Sequence, residues 1–119
     1  MNSEKNNPTY GVSDDKTSIK LIGFDEALSN LTKSQREKLI SGYDIKSLAK
    51  VFEDGGLMQT IKTFFKNGMN VSRTAKILYM HRNTLIYKLN AIKKLTGFDL
   101  RDFDMAVTFS ILHNLYLMK

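Results

Sequence analysis

Cysteine is missing from all 119 positions, which excludes disulfide staples, thiolate zinc sites and cysteine nucleophiles and permits a reducing intracellular compartment. Stability must then come from packing, and a chain of this length that is 42% hydrophobic supports one core by default. Proline occurs once, at Pro8, in an opening stretch of Asn, Ser, Lys and Asp with few large apolar groups. Residues 1–18 therefore read as a disordered tail or a linker. The stretch also lacks the apolar core of a signal peptide, so no export is indicated and a cytoplasmic location is expected. Nor does any run reach the roughly 20 apolar residues of a membrane span, because Thr108, Ser110, His113 and Asn114 interrupt the apolar C-terminal segment.

Groups for catalysis are equally scarce. His81 and His113 are the only histidines, and neither has a carboxylate at metal-ligand spacing. No glycine-rich phosphate loop, paired-carboxylate cluster or Ser-His-Asp order can be assembled with any specificity. The expectation is a protein that is not an enzyme and holds no cofactor or metal.

Acidic residues are absent from one long segment. Between Gly55 and Phe98 there are eight basic residues (Lys62, Lys66, Arg73, Lys76, Arg82, Lys88, Lys93 and Lys94) and no Asp or Glu. Residues 1–54 carry eight basic and nine acidic residues, and residues 99–119 carry two and three, so the net charge of +6 comes from the middle segment. Such a concentration is the footprint of a phosphate-binding surface. An anionic membrane fits less well, because the basic residues are spread over several helices instead of forming one polybasic amphipathic helix.

What is present is helical periodicity, and it predicts an all-α fold: a compact multi-helix domain with a C-terminal helix-turn-helix followed by an apolar helix. Phe24, Ala27, Leu28 and Leu31 mark a short first helix with Asp25 and Glu26 in its first turn. Thr32 and Gln35 match a capping box for a second, which should carry Leu39 and Ile40 inward and stop near Gly42. Asp44 can cap a third with Ile45, Leu48, Ala49 and Phe52 inward. These helices, residues 19–54, read as an N-terminal platform. Gly55 and Gly56 are expected to break the chain, after which Leu57, Met58, Ile61, Phe64 and Phe65 mark a core helix ending at Asn67 and Gly68.

The DNA-binding domain is expected over 55–119, centred on Asn70 to Leu95. Asn70 can cap a short helix carrying Val71, Ala75 and Leu78 inward, and small Ala75 permits close helix approach. A tight break follows, then a longer helix whose Leu85, Leu89, Ile92 and Leu95 form one inward stripe. At about 100° per residue, Asn83, Tyr87, Asn90 and Lys94 fall opposite, with His81, Arg82 and Thr84 at the N-terminal end. Any two amphipathic helices joined by a turn give this pattern, but charge argues for more. A last helix runs from a cap at Asp99 or Asp102 through Phe103 to Met118, apolar on more than one face. It is central in the monomer or partly covered by a second subunit.

The series GMNVSRTAKILYMHRNTLIYKLNAIKKLTGFDL, Gly68 to Leu100, resembles the C-terminal helix-turn-helix of the purine-catabolism and sugar-diacid regulators, the PucR-like family, and more distantly the Fis-type helix-turn-helix. The matching residues lie in the turn and on the exposed face, which packing alone would not dictate. The resemblance implies bacterial sequence-specific binding of double-stranded DNA, usually as a homodimer. Those regulators usually carry a ligand-sensing region ahead of this domain, and none is expected in this chain. A partner protein or a missing sensor domain stays open as a further partner.

On that reading Arg82 can grip guanine O6 and N7, Asn83 can pair with adenine, and Tyr87 and Asn90 complete the base-reading set. Ser72, Arg73, Lys76, His81, Thr84, Lys88 and Lys94 are expected on the DNA backbone. The rivals are a Fis-like architectural binder that reads groove shape and bendability, and a protein-interaction module.

Overall fold

The computed structural model describes residues 18–118. The expected tail therefore lies, up to residue 17, outside the described residues. Those residues form seven helices and no strand: α1 Phe24–Ser29, α2 Lys33–Ile40, α3 Ile45–Phe52, α4 Gly55–Lys66, α5 Val71–Ile77, α6 Arg82–Thr96 and α7 Phe103–Leu117.

Side-chain caps set most of the starts. Thr32 and Gln35 close a reciprocal capping box at α2, with backbone-to-side-chain distances of 2.8 and 3.1 Å. Asp44, Asn70 and Asp102 each accept a backbone N–H from the third residue of the helix that follows. One expectation is corrected here: Gly55 and Gly56 do not break the chain but form the first turn of α4. Asp54 caps them by accepting the N–H of Leu57 at 3.0 Å, which offsets the poor helix propensity of the two glycines. α6 stops at Gly97, whose φ of +85° returns its N–H to the Lys93 carbonyl at 2.8 Å.

One core runs through the molecule. Leu48, Val51 and Phe52 of α3 share it with Met58, Ile61 and Phe64 of α4, Ala75 of α5, Leu85, Leu89 and Ile92 of α6, and Phe109, Leu112 and Leu115 of α7. Each fully buried large side chain contributes about 1.5–3 kcal/mol by leaving water. α2 stays peripheral. None of its residues is buried, and Leu39, expected to face inward, is exposed, because a helix that leans mainly on α7 has one narrow contact line.

The apolar girth of α7 has a physical answer. α1 and α2 pack on it, and Phe52 of α3 meets Phe109, His113 and Tyr116 with ring centroids 5.0 to 5.3 Å apart. The helix is therefore central in the monomer, although Phe103 and Leu117 at its two ends remain exposed. The Tyr116 hydroxyl donates to Glu53, tying the end of α7 to the end of α3.

Candidate nucleic-acid interface

α5 and α6 pack against each other through residues that leave their outer faces free. Ala75 and Thr74 are buried on α5, and Leu85, Leu89 and Ile92 on α6. The α6 stripe stops earlier than periodicity suggests, since Leu95 is 42% exposed. It lines an open groove together with Lys50 of α3, Asp54, Leu57 of α4, and Tyr87 and Lys88 of α6.

The turn between the helices is tight. The Tyr79 N–H reaches the Lys76 carbonyl at 3.2 Å and the Met80 N–H reaches the Ala75 carbonyl at 3.0 Å. To make it, Tyr79 takes a φ of +55°, in the left-handed region that a bulky side chain disfavours. Its ring is 97% exposed while Leu78 and Met80 on either side are half-buried.

His81 starts α6. Its Nδ1 accepts the backbone N–H of Asn83 at 3.0 Å, so the neutral ring carries its proton on Nε2, and the side chain is exposed. From that cap the helix presents Arg82, Asn83, Thr84, Tyr87, Asn90 and Lys94 to solvent, and α5 presents Ser72, Arg73 and Lys76. Lys88 is half-buried beside the groove. Every residue expected at a DNA surface therefore sits on the two packed helices or at their junction, and all but Lys88 are exposed.

The charges on this surface are largely uncompensated. Among the described residues no salt bridge involves Arg73, Lys76, Arg82, Lys88 or Lys94; the basic residue of α6 that has one is Lys93, with Asp99 at 3.8 Å. Lys62 of α4 lies elsewhere, lining a small pocket with Phe109 and His113 of α7. Burial, with help from the Lys62 charge, holds the His113 imidazole below its ordinary value.

Two residues escaped the sequence reading. Tyr79 has no periodic signal because it belongs to neither helix. Arg101, outside the acid-free segment, bonds Asp99 through Nε at 2.9 Å and Asn90 through Nη2 at 2.7 Å. The hydrogen bonds from Arg101 hold the Asp99 carboxyl below the usual carboxylate range. A basic residue in a loop with two aspartates nearby carries no sequence signal that it reaches eleven positions back.

Residues 57–112 match the PucR C-terminal helix-turn-helix domain. Among curated proteins, the carbohydrate diacid regulator of Escherichia coli (strain K12) is 43% identical over 56 residues, which is 46% of this chain and 14% of that protein. The purine catabolism regulatory protein of Bacillus subtilis (strain 168) is 42% identical over 59 residues, 49% of this chain and 11% of that protein. The chain thus spans only a small fraction of the length of these relatives. No solved structure gives a significant match.

Proposed function

With residues 57–112 established as a PucR C-terminal helix-turn-helix domain, we propose that the chain is a non-enzymatic, sequence-specific DNA-binding transcriptional regulator acting on the bacterial nucleoid in the cytoplasm. The relatives named for regulating carbohydrate diacid and purine catabolism support this reading. So does one observation above all: α5 and α6 display Arg73, Lys76, Arg82 and Lys94 on a surface with no acidic residue on either helix.

In this reading α6 enters the major groove with its N-terminal end foremost. Arg82 donates both arms of its fork to guanine O6 and N7; Asn83, Tyr87 and Asn90 read neighbouring edges. Ser72, Arg73, Lys76, His81, Thr84, Lys88 and Lys94 hold phosphates, with His81 offering the Nε2–H that its cap leaves outward. The residues divide into a domain over 55–119 that touches DNA and a platform over 19–54 that buttresses it through Leu48, Val51 and Phe52. Homodimerisation completes the proposal, with half-sites about one helical turn, roughly 34 Å, apart. The exposed Phe103 and Leu117 of α7 supply apolar surface for such a contact.

Selection and sequencing from a pool of random duplexes at two salt concentrations tests this. A palindromic motif with a steep salt slope is the expected result. Salt-dependent binding without enrichment means a Fis-like architectural protein, and no binding at low salt means an interaction module.

A further inference from the structure

Among the described residues, Asn90 is the member of the outward face of α6 whose side chain is hydrogen-bonded by another part of the protein. The Arg101 guanidinium carries donors only, so the Asn90 atom that faces its Nη2 at 2.7 Å must be the carbonyl oxygen Oδ1. The amide nitrogen is thereby turned the other way, with two N–H donors. Arg101 itself is held. Its Nε and its backbone N–H both donate to Asp99 Oδ1, at 2.9 and 3.0 Å, and Lys93 approaches the other carboxylate oxygen at 3.8 Å. The loop that carries the pair is pinned at both sides by core residues. Phe98 packs on Phe109 with ring centroids 6.1 Å apart, and Leu100 is fully buried.

We propose that Arg101 is a positioning residue for base recognition: by donating to Oδ1 of Asn90 it weakens that oxygen as an acceptor for a base and aims the amide N–H groups away from itself, which favours guanine over adenine and cytosine at that position. This rests on the DNA-binding reading above. The reasoning is one of matching edges. Asparagine recognises adenine with both amide atoms, Oδ1 accepting from N6 and the nitrogen donating to N7. Arg101 takes one of the two lone pairs of that oxygen and sets a positive charge beside the other, so the approach of a second donor, and with it the paired arrangement, is disfavoured. Guanine offers N7 and O6, two acceptors for two N–H groups, whereas cytosine offers a donor at N4, for which the charged guanidinium beside Oδ1 leaves a poor acceptor. The arrangement is ready before DNA arrives, so no rotamer freedom is lost in setting the amide on binding.

The test compares the full chain with Arg101→Met, Arg101→Lys, Asn90→Ala and the Arg101→Met/Asn90→Ala double variant in the random-duplex selection, each first checked for a native thermal melt. The wild type is expected to prefer guanine at one half-site position. Arg101→Met frees the amide to turn and lowers guanine-over-adenine discrimination there by about tenfold, leaving the other positions as they were. Arg101→Lys, which restores a donor, recovers part of it. Asn90→Ala removes discrimination at the same position, and the double variant matches Asn90→Ala. Side-chain amide 15N relaxation should find the Asn90 NH2 ordered in the wild type and mobile in Arg101→Met. If the melt shows Arg101→Met unfolded, Asp99→Asn, which loosens Arg101 without removing it, takes its place with the same expected change.

Three results overturn the proposal while leaving the DNA reading intact. They are a wild-type preference for adenine at the position lost in Asn90→Ala, an Arg101→Met profile identical to the wild type, and a uniform loss of affinity with the salt slope reduced by about one, which would make Arg101 a phosphate contact. A wild type that enriches no sequence sinks the DNA reading itself, and the proposal with it.

Discussion

The imidazole Nδ1 of His81 accepts the backbone N–H of Asn83 at 3.0 Å, so the residue at the helix-turn-helix junction is the N-cap of α6. One ring nitrogen serves the fold and the other faces solvent. His81→Ala should lower stability by about 1 kcal/mol through loss of the cap. His81→Asn should restore the melt but not the duplex affinity, because its shorter side chain caps without projecting a second donor as far. Urea denaturation beside duplex titration separates the two effects, and equal affinity in His81→Asn and wild type would remove His81 from the phosphate set.

Arg82→Ala should cost about 1–3 kcal/mol on the selected site and relax preference at one position. Lys94→Ala should weaken all duplexes alike and reduce the salt slope by about one. Titrations on specific and random duplexes over a salt series measure both. Equal losses for the two variants on both DNAs would contradict the division between base reading and phosphate holding.

Thr74 is fully buried on α5 and its hydroxyl has no hydrogen-bond partner among the described residues. Thr74→Val keeps the shape and removes the unpaired group, so it should raise stability by about 1 kcal/mol. A fall on chemical denaturation would mean that the hydroxyl is paired in solution.

Tyr79 holds a φ of +55° with its ring almost wholly in water. Tyr79→Gly removes left-handed strain of about 1–2 kcal/mol and forfeits little burial, while the freer unfolded chain takes back about 0.4–1 kcal/mol, so the fold should gain about 0.5 kcal/mol. A thermal melt checks it; a variant less stable than wild type would show that the ring packs against something in solution.

Burial beside Phe52, with Lys62 nearby, depresses the His113 pKa from its ordinary 6.5. Between that value and the lower one in the fold the unfolded chain binds more protons, so stability is fully present above about pH 6.5 and declines as pH falls through the window. Asp99, held low by Arg101, adds a separate loss on the acid side of its ordinary 3.8. Denaturation midpoints measured from pH 8 to 4 should slope downward in the wild type and flatten over the upper part of the range in His113→Gln. An unchanged slope in that variant would assign the effect to another group.

Much of this molecule is local, and local features are legible in the chain. The caps at Thr32, Asp44, Asn70 and Asp102 and the stop at Gly97 follow from hydrogen bonds and backbone freedom within a few residues. Periodicity likewise identifies the outward face of α6, since a residue opposite Leu85, Leu89 and Ile92 has nowhere to point but out. Charge distribution marks the segment without needing any coordinates.

What tertiary structure decided are the places where two distant pieces meet. Leu39 and Leu95 obey the inward period but lie at the edge of their contacts, so their neighbours cover them only in part. The apolar girth of α7 could serve a core or a partner until α1, α2 and Phe52 of α3 closed around it. Gly55 and Gly56 read as a break because propensity is summed locally, while Asp54 and the burial of Met58, Ile61 and Phe64 hold the helix they begin. The Arg101 contact with Asn90 depends on where the loop after Gly97 folds back along α6, and that path is set by the burial of Phe98 and Leu100, not by the charges it brings together.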